Sequence, residues 1–388
     1  MTKRPGLRLD RKALEGVLTT AAAIVLALLI GAVLMALSNE SVIDSMGYFF
    51  SYPWDFFSRS FDVVTTSYGA LLDRSLGSGE GLANTLNRSA PLICAGLGVS
   101  LAFRAGLFNI GAQGQIILGT LAASYVGFTW DLPGPILLLT SVLAGVLAGA
   151  LWGGIAGLLK AATGTHEVIS TIMLNQIASF GVLAYALGEL KSFQRPDDDL
   201  GLPQSPPVPD AAAFPEVLGV HMGVLLSLVA AAVVWWLLTR STLGFELRSV
   251  GANPDASRTA GMSTAKVFIL TMVIAGGLSG LAATMMINGD QASNNASLVG
   301  SVGFDAITVA LLGRGTPLGS VLAGFLFGIL AVGGGAMQTT SAGTAPEVVQ
   351  VIQSLIVLFV AAPAIVRWIV RQRRKEPTST FAAKGVSA

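Results

Sequence analysis

The side chains that could bind a ligand in this chain are mostly amides, and they lie within long apolar stretches. Asn109 and Gln113 are four residues apart, so a helix would place them on one face. Polar side chains at membrane depth commonly mark a substrate pathway. Hydrogen bonding between helices is the alternative that the same residues fit. The candidate pathway residues are Asn109, Gln113, Gln115 and Asn175.

The composition places these amides in a membrane protein. Apolar residues make up 53% of the 388 residues, charged residues make up 12%, and the mean hydropathy is +0.70. A soluble chain of this size would carry about 25% charged residues. The single cysteine, Cys94, lies in an apolar run, so no disulfide framework is expected. The predicted fold class is an all-α polytopic membrane protein.

The sequence contains no recognisable catalytic set. The only two histidines, His166 and His221, are far apart and predicted at opposite membrane faces, so we expect surface residues and no metal site. The phosphate-binding pattern GxxxxGK[S/T] does not occur, so the chain is expected to hydrolyse no ATP itself. We therefore expect a protein that is not an enzyme and holds no metal or cofactor of its own.

Charge segregation predicts the orientation of the chain in the membrane. Basic segments stay on the cytoplasmic side, so 1–16, 240–266 and 370–388 are predicted to be cytoplasmic. The acidic segments 38–87 and 189–220 are predicted to be extracytoplasmic, and the aromatic residues of the first suit a helix at the outer interface. The transmembrane domain is predicted at 17–369, with about ten spans at 17–37, 88–104, 112–130, 135–159, 168–188, 221–239, 266–287, 302–313, 317–336 and 347–369.

Glycines at intervals of four predict close packing between helices. They are Gly145, Gly149, Gly153 and Gly157 in the fourth predicted span, Gly276 and Gly280 in the seventh, and Gly324 and Gly328 in the ninth. Spans two to five and seven to ten are offset by five, an odd number. Any repeat that relates them would therefore be inverted, which would place a substrate path at the repeat interface.

The segment 240–266 is predicted to hold a short, well-capped helix outside the bilayer. Asn253 is a good N-cap, and Pro254 suits the first helical position because its missing N–H needs no partner there. Gly261 suits the left-handed residue that ends such a helix. A helix specified this closely is expected to dock against a partner, with an ordinary amphipathic connector as the alternative.

Four ordered motifs carry a resemblance to a known family. They are GLFNIGAQGQIILG (106–119), GTHEVISTIMLNQIA (164–178), LRSVGANPDASRTAGM (247–262) and GFDAITVALLGRGTPLGSVLAGFLFG (303–328). Together they resemble the membrane permease subunit of a bacterial ABC importer, and most of all the branch that handles nucleosides and simple sugars. The resemblance extends over residues 85–375.

The resemblance implies partners and contact residues. The helix at 253–261 would be the coupling helix, which sits in a groove of a cytoplasmic ABC ATPase that binds ATP and Mg²⁺. Two permeases, identical or related, would share two ATPases and receive cargo from an extracytoplasmic substrate-binding lipoprotein, with no nucleic acid involved. Both termini would be cytoplasmic in a multi-pass protein of the plasma membrane. The implied coupling residues are Arg248, Gly251, Asn253, Pro254 and Gly261.

The function predicted from these observations is ATP-driven inward transport of nucleosides. A permease for simple sugars such as ribose, or for branched-chain amino acids, is the alternative within the family. An ATP-independent carrier or channel is a rival of another class, and it leaves the capped helix unexplained. A membrane enzyme lacks support because the sequence shows no acid–base pair or metal cluster.

Overall fold

The computed structural model describes residues 11–194, 203–290, 293–340 and 342–361. The helices in chain order are α1 (Arg11–Ser38), α2 (Glu40–Met46), α3 (Pro53–Leu76), α4 (Gly79–Arg104), α5 (Ala112–Thr129), α6 (Gly134–Thr163), α7 (Glu167–Gln176), α8 (Ala184–Gly188), α9 (Gly223–Arg240), α10 (Thr242–Ala252), α11 (Pro254–Thr259), α12 (Thr264–Thr284), α13 (Val302–Leu312), α14 (Pro317–Gln338) and α15 (Pro346–Ala361). A π-helical stretch, Ile177–Leu183, joins α7 to α8, and another, Met285–Gly289, follows α12. Single 3₁₀ turns occur at Lys191–Phe193 and Asp210–Ala212. Strands β1 (Glu216–Val217) and β2 (Val220–His221) pair as a small antiparallel hairpin.

Seven helices of the described chain are long and apolar enough to cross a membrane. Two shorter apolar helices, Val302–Leu312 and Pro346–Phe359, accompany them. Helix α5 is a further 18-residue helix, and its first turn carries the two glutamines. The predicted all-α polytopic fold is confirmed, whereas the count of ten spans and the inverted repeat stay predictions. The seven are Ala21–Ser38, Gly79–Arg104, Gly134–Thr163, Glu167–Gly188, Gly223–Arg240, Thr264–Gly289 and Pro317–Gln338.

The chain divides into two compact units, one formed by 65–343 and the other by the described residues on either side of that range. In the second unit α1 packs against α15. The predicted helix of 38–87 is present as α3, and an aromatic cluster lies at its start. The ring of Phe49 meets those of Phe50 and Phe56 edge to face, with centroids 5.8 and 5.5 Å apart. Its position at the outer interface stays a prediction.

The predicted glycine packing is confirmed in the 65–343 unit. Helices α6 and α12 approach so closely that a Cβ added to Gly149 would lie 2.4 Å from the carbonyl oxygen of Gly276. A Cβ on Gly280 would likewise lie 2.3 Å from the carbonyl oxygen of Gly145. On α14, Gly324 faces Ile93 of α4, where an added Cβ would lie 2.5 Å from the side-chain Cγ1 and 3.2 Å from the backbone nitrogen. Helices α6 and α12 therefore touch through their backbones, the close approach that small residues allow in a membrane.

The segment 293–301 runs beside α5 and alternates buried residues, Asn294 and Val299, with exposed ones. At one end, Asn294 Nδ2 donates a hydrogen bond to Ser124 Oγ at 3.0 Å. At the other end, Gln113 Nε2 donates to the carbonyl oxygen of Gly300 at 2.8 Å. The two partners on α5 are eleven residues apart, which is about 16 Å along a helix axis. These bonds hold the irregular segment and the start of α13 that follows it against α5.

Candidate functional site

Asn109 and Gln115 form a buried amide pair at the start of α5. Asn109 Nδ2 donates to Gln115 Oε1, and Gln115 Nε2 donates to Asn109 Oδ1, each at 3.2 Å. The hydroxyl of Ser279 on α12 also donates to Gln115 Oε1 at 3.0 Å. Both amides are at most 1% exposed. Their contacts match the alternative role, hydrogen bonding that holds helices together.

Asn175 caps α5 from another helix. Its Oδ1 accepts from the backbone N–H of Gly114 at 2.8 Å, and its Nδ2 donates to the carbonyl oxygen of Ile110 at 2.9 Å. The N-cap position of α5 is Gly111, which has no side chain to offer. The first turn of a helix leaves N–H groups without internal partners. Asn175 on α7 satisfies one of them across the bundle.

Gln113 performs the same task for α13. Its Oε1 accepts from the backbone N–H of Gly303 at 2.9 Å, in the first turn of α13, while its Nε2 binds Gly300. It differs from the other three predicted pathway residues in its surroundings, because it lines a cavity that those three do not line. The structure thus separates the predicted set into Gln113 at the cavity and three amides buried beside it.

The cavity has a volume of about 530 Å³ and is bounded by α5, the helix 167–188 and the segment 293–301. Its wall is mainly apolar, with Ile117, Leu183 and Val299 as examples. Ser179 and Phe180, from the π-helical stretch, also line it. Sequence reasoning missed both residues. A π-helical turn has no periodic signature, so the one available signal was their closeness to Asn175 in the motif at 164–178.

The capped helix predicted at 240–266 is confirmed as α11. Asn253 Oδ1 accepts from the backbone N–H groups of Asp255 and Ala256 at 3.1 and 3.0 Å, and Pro254 is the first helical residue. Gly261 ends the turn with φ of +84°, the left-handed conformation that glycine adopts without strain. Asn253, Pro254 and Gly261 are all exposed. The described chain therefore presents this helix to a partner or to solvent.

The two other implied coupling residues lie on α10. Arg248 is exposed, and its Nε donates to the carbonyl oxygen of Gly244 at 3.1 Å. Gly251 faces inward instead, since a Cβ there would lie 2.2 Å from the carbonyl oxygen of Arg104 and 2.9 Å from the nitrogen of Gly106. The end of α10 thus rests directly on the turn that leads from α4 to the amide pair.

The expectation that both histidines are surface residues is wrong for His221. His166 has an exposed side chain, but His221 is only 2% exposed and stacks on Phe214 with centroids 6.0 Å apart. Its Nδ1 accepts from the backbone N–H of Gly223 at 3.1 Å. It lies in the hairpin before α9, where burial lowers its pKa below the usual value and nearby Asp290 opposes that shift. His221 is buried because the chain folds around its imidazole, and the sequence alone did not reveal this burial.

Comparison with known proteins identifies the group to which this arrangement belongs. The family described as branched-chain amino acid transport system, permease component, matches residues 81–361. The chain belongs to this permease family. The permease is 36% identical over 371 residues to the guanosine ABC transporter permease protein NupP of Bacillus subtilis (strain 168), covering 94% of this chain and 99% of that one.

Two further relatives differ in the cargo that their names give. The permease is 35% identical over 301 residues to the glucose ABC transporter permease protein TsgB13 of Haloferax volcanii, covering 76% of this chain and 79% of the relative. It is 33% identical over 313 residues to the nucleoside ABC transporter permease protein NupB of Lactococcus lactis subsp. cremoris, covering 77% and 84%. No solved structure matches the chain significantly. The resemblance to the nucleoside and simple-sugar permeases of ABC transporters is confirmed, and the permease is a multi-pass transport subunit.

Proposed function

We propose that this permease moves nucleosides inward across the cytoplasmic membrane as a subunit of an ATP-driven ABC importer. One observation carries the proposal: the match to the guanosine permease of Bacillus subtilis extends over 94% of this chain and 99% of that one. The similarity to a second nucleoside permease, from Lactococcus lactis, supports the same cargo class.

The proposed assembly contains two permeases, two cytoplasmic ATPases and an extracytoplasmic substrate-binding lipoprotein. Helix α11 is the surface that would contact an ATPase, because it is exposed and firmly capped at Asn253. ATP and Mg²⁺ would be bound by the ATPase, and this chain would hold no cofactor. The basic segments at both ends of the chain would lie in the cytoplasm.

The proposed coupling mechanism uses the contact between α10 and α4. Closure of the ATPases on ATP would displace α11 and the end of α10. Gly251 rests on the backbone of Arg104–Gly106, so the displacement would reach the turn before α5 without an intervening side chain. A push of this kind shifts the bundle only if its two states differ in their contact with the ATPase.

The proposed roles of the four amides differ. Gln113 would contact the cargo, since it lines the cavity. Asn109, Gln115 and Asn175 would fix the start of α5, on which Gln113 is carried, because their bonds join α5, α7 and α12.

A simple sugar is the second candidate cargo, and the glucose permease of Haloferax volcanii favours it. Branched-chain amino acids are the third, because the family description names them. An ATP-independent carrier stays the rival of another class, and ATP depletion separates it from the others.

The test is uptake of labelled guanosine and uridine by cells with and without this chain, in competition with ribose, glucose and leucine. We expect uptake that disappears on deletion, stops on ATP depletion, and is competed only by nucleosides. Unchanged nucleoside uptake after deletion, in cells without a redundant carrier, contradicts the proposal. Competition of this uptake by glucose or ribose would favour a simple sugar as the cargo.

A further inference from the structure

The cavity beside α5 has a chemistry that distinguishes among the candidate cargoes. Its volume of about 530 Å³ falls within the range of small-molecule sites, which are mostly apolar with a few placed polar groups. A sugar carries hydroxyl groups around its whole ring and would leave many of them unpaired against such a wall. A planar base has two apolar faces and confines its polar atoms to its edge.

The polar groups of the cavity wall suit such an edge. A glutamine amide has two N–H donors and two acceptor lone pairs. Gln113 uses one donor on Gly300 and one lone pair on Gly303, so one of each is left. The hydroxyl of Ser179 adds a donor and acceptor, and it forms no hydrogen bond within the described chain.

An aromatic ring stands next to these groups. Phe180 follows Ser179 in the π-helical stretch, lines the cavity, and is 78% exposed, so its ring is open to a ligand. Bases stack on exposed aromatic side chains regardless of their identity because each has a π-face. π-helical turns inside α-helices are frequent at functional sites, since they re-aim side chains that a regular turn would direct elsewhere.

We propose that this cavity binds the nucleobase of the cargo, with the base stacked on Phe180 and its edge hydrogen-bonded to Gln113 and Ser179. The inference rests on the proposed function and deepens it, because it assigns the residues that choose a base over a sugar. Phe180 and Ser179 are then specificity residues of the transport pathway, and the π-helical stretch places both residues at the cavity.

The experiment uses the full transporter, with this chain and its partner subunits, in membranes. Photolabelling with 8-azidoguanosine is followed by tryptic mapping. Cleavage after Lys160 and Lys191 releases 161–191 as one peptide that contains both residues. We expect label in that peptide, and protection by excess guanosine but not by glucose. Label confined to peptides other than 161–191 and 105–160, which contains Gln113, overturns the inference.

Transport by variants supplies the second readout. At guanosine concentrations well below saturation, where the uptake rate follows the affinity, Phe180→Ala should lower the rate about tenfold, as expected for a lost base stack, and Phe180→Tyr should restore it. Ser179→Ala should lower it about fivefold, the effect of one hydrogen bond. Tyr185→Ala is the matched control, since Tyr185 is exposed on the same helix but does not line the cavity.

The outcomes separate this inference from the proposed function. If wild type takes up guanosine and Phe180→Ala matches it, the cavity is not the base site and the nucleoside assignment stands. If wild type takes up no nucleoside, the proposed function fails and this inference fails with it.

Discussion

At the scale of single residues, the amides of this permease act largely as helix caps supplied from elsewhere in the chain. Asn175 caps α5, and Gln113 caps α13. An unpaired N–H or carbonyl oxygen in the interior loses its hydrogen bonds to water without replacement. The amides are therefore needed wherever a helix begins inside the bundle.

Asn175→Ala should destabilise the fold. It leaves the N–H of Gly114 and the carbonyl oxygen of Ile110 buried without this partner, at a cost of about 1–3 kcal/mol for each unsatisfied group. Thermal unfolding in detergent should show a lower midpoint. Gln176→Ala is the control, because Gln176 is adjacent and exposed. Equal midpoints for the two variants would contradict the capping role.

His221 should make stability depend on pH. Its pKa is lowered in the folded state, so the unfolded state binds the proton more readily. Its contribution is complete above the unfolded pKa of about 6.5 and is lost as the pH falls below that value. We expect His221→Gln to flatten the decline in unfolding midpoint between pH 7 and 5. His166→Gln, at an exposed site, should leave the decline as it is.

Asn253→Ala tests the coupling helix. Loss of the cap removes the bonds to Asp255 and Ala256 and should weaken α11 by about 1 kcal/mol. We expect a lower uptake rate per ATP hydrolysed in reconstituted vesicles, with normal membrane insertion. Asn253→Asp keeps an acceptor at the cap and should retain coupling. A normal ratio in Asn253→Ala would contradict a role for the Asn253 cap in coupling.

At the scale of elements, glycine spacing decides which helices touch. Gly149 and Gly276 bring α6 and α12 into backbone contact, and Gly324 makes room for the side chain of Ile93 where α14 meets α4. Lipid tails are as apolar as the helix surfaces, so the hydrophobic effect does not drive helices together in a membrane. Close contact between helices supplies the attraction through van der Waals packing.

Gly149→Ala should therefore disturb the α6–α12 contact. The added methyl group would lie 2.4 Å from the carbonyl oxygen of Gly276, and such overpacking costs about 1–3 kcal/mol. A lower unfolding midpoint is expected. Gly335→Ala is the matched control, since a Cβ there meets nothing within 4 Å. It should be neutral or stabilise α14, because alanine favours a helix by about 1 kcal/mol over glycine.

The predictable elements were those with a strong local pattern. The capped helix α11 and the glycine contacts of α6 follow from residue types at fixed spacing, and both are confirmed. The burial of His221, the π-helical stretch with Phe180, and the descent of 293–301 beside α5 were not predictable. Each depends on partners distant in sequence, such as Gln113 with Gly300, and no local pattern encodes them.

At the scale of the whole molecule, one short contact joins the exposed helices α10 and α11 to the buried amides Asn109 and Gln115. Gly251 of α10 rests on the turn at Arg104–Gly106, and Asn109 follows that turn directly. Arg104 also donates through Nε to the carbonyl oxygen of Gly315, at 2.8 Å, so the turn is fixed to the chain between α13 and α14. The start of α5 and the turn between α13 and α14 are thus connected to the surface that would meet an ATPase.

Gly251→Ala should break this connection. Its Cβ would lie 2.2 Å from the carbonyl oxygen of Arg104, so α10 must move away from α4. We expect ATP hydrolysis to continue while uptake falls by at least about tenfold. Ala252→Gly, at the exposed neighbouring position, should leave both rates nearly unchanged. Uptake that persists in Gly251→Ala would show that movement of α10 is not transmitted to α5 through the contact at Gly251.

The capping of α5 by Asn175 also sets an order of events during synthesis. The two partners are 61 residues apart, so α5 leaves the ribosome long before its cap exists. Its first turn must keep its N–H groups on water or on the insertion machinery until α7 has been made. The start of α5 can settle in the membrane only after the chain has reached residue 175, and the cavity wall is completed later still, when Val299 and Gly300 arrive beside Gln113.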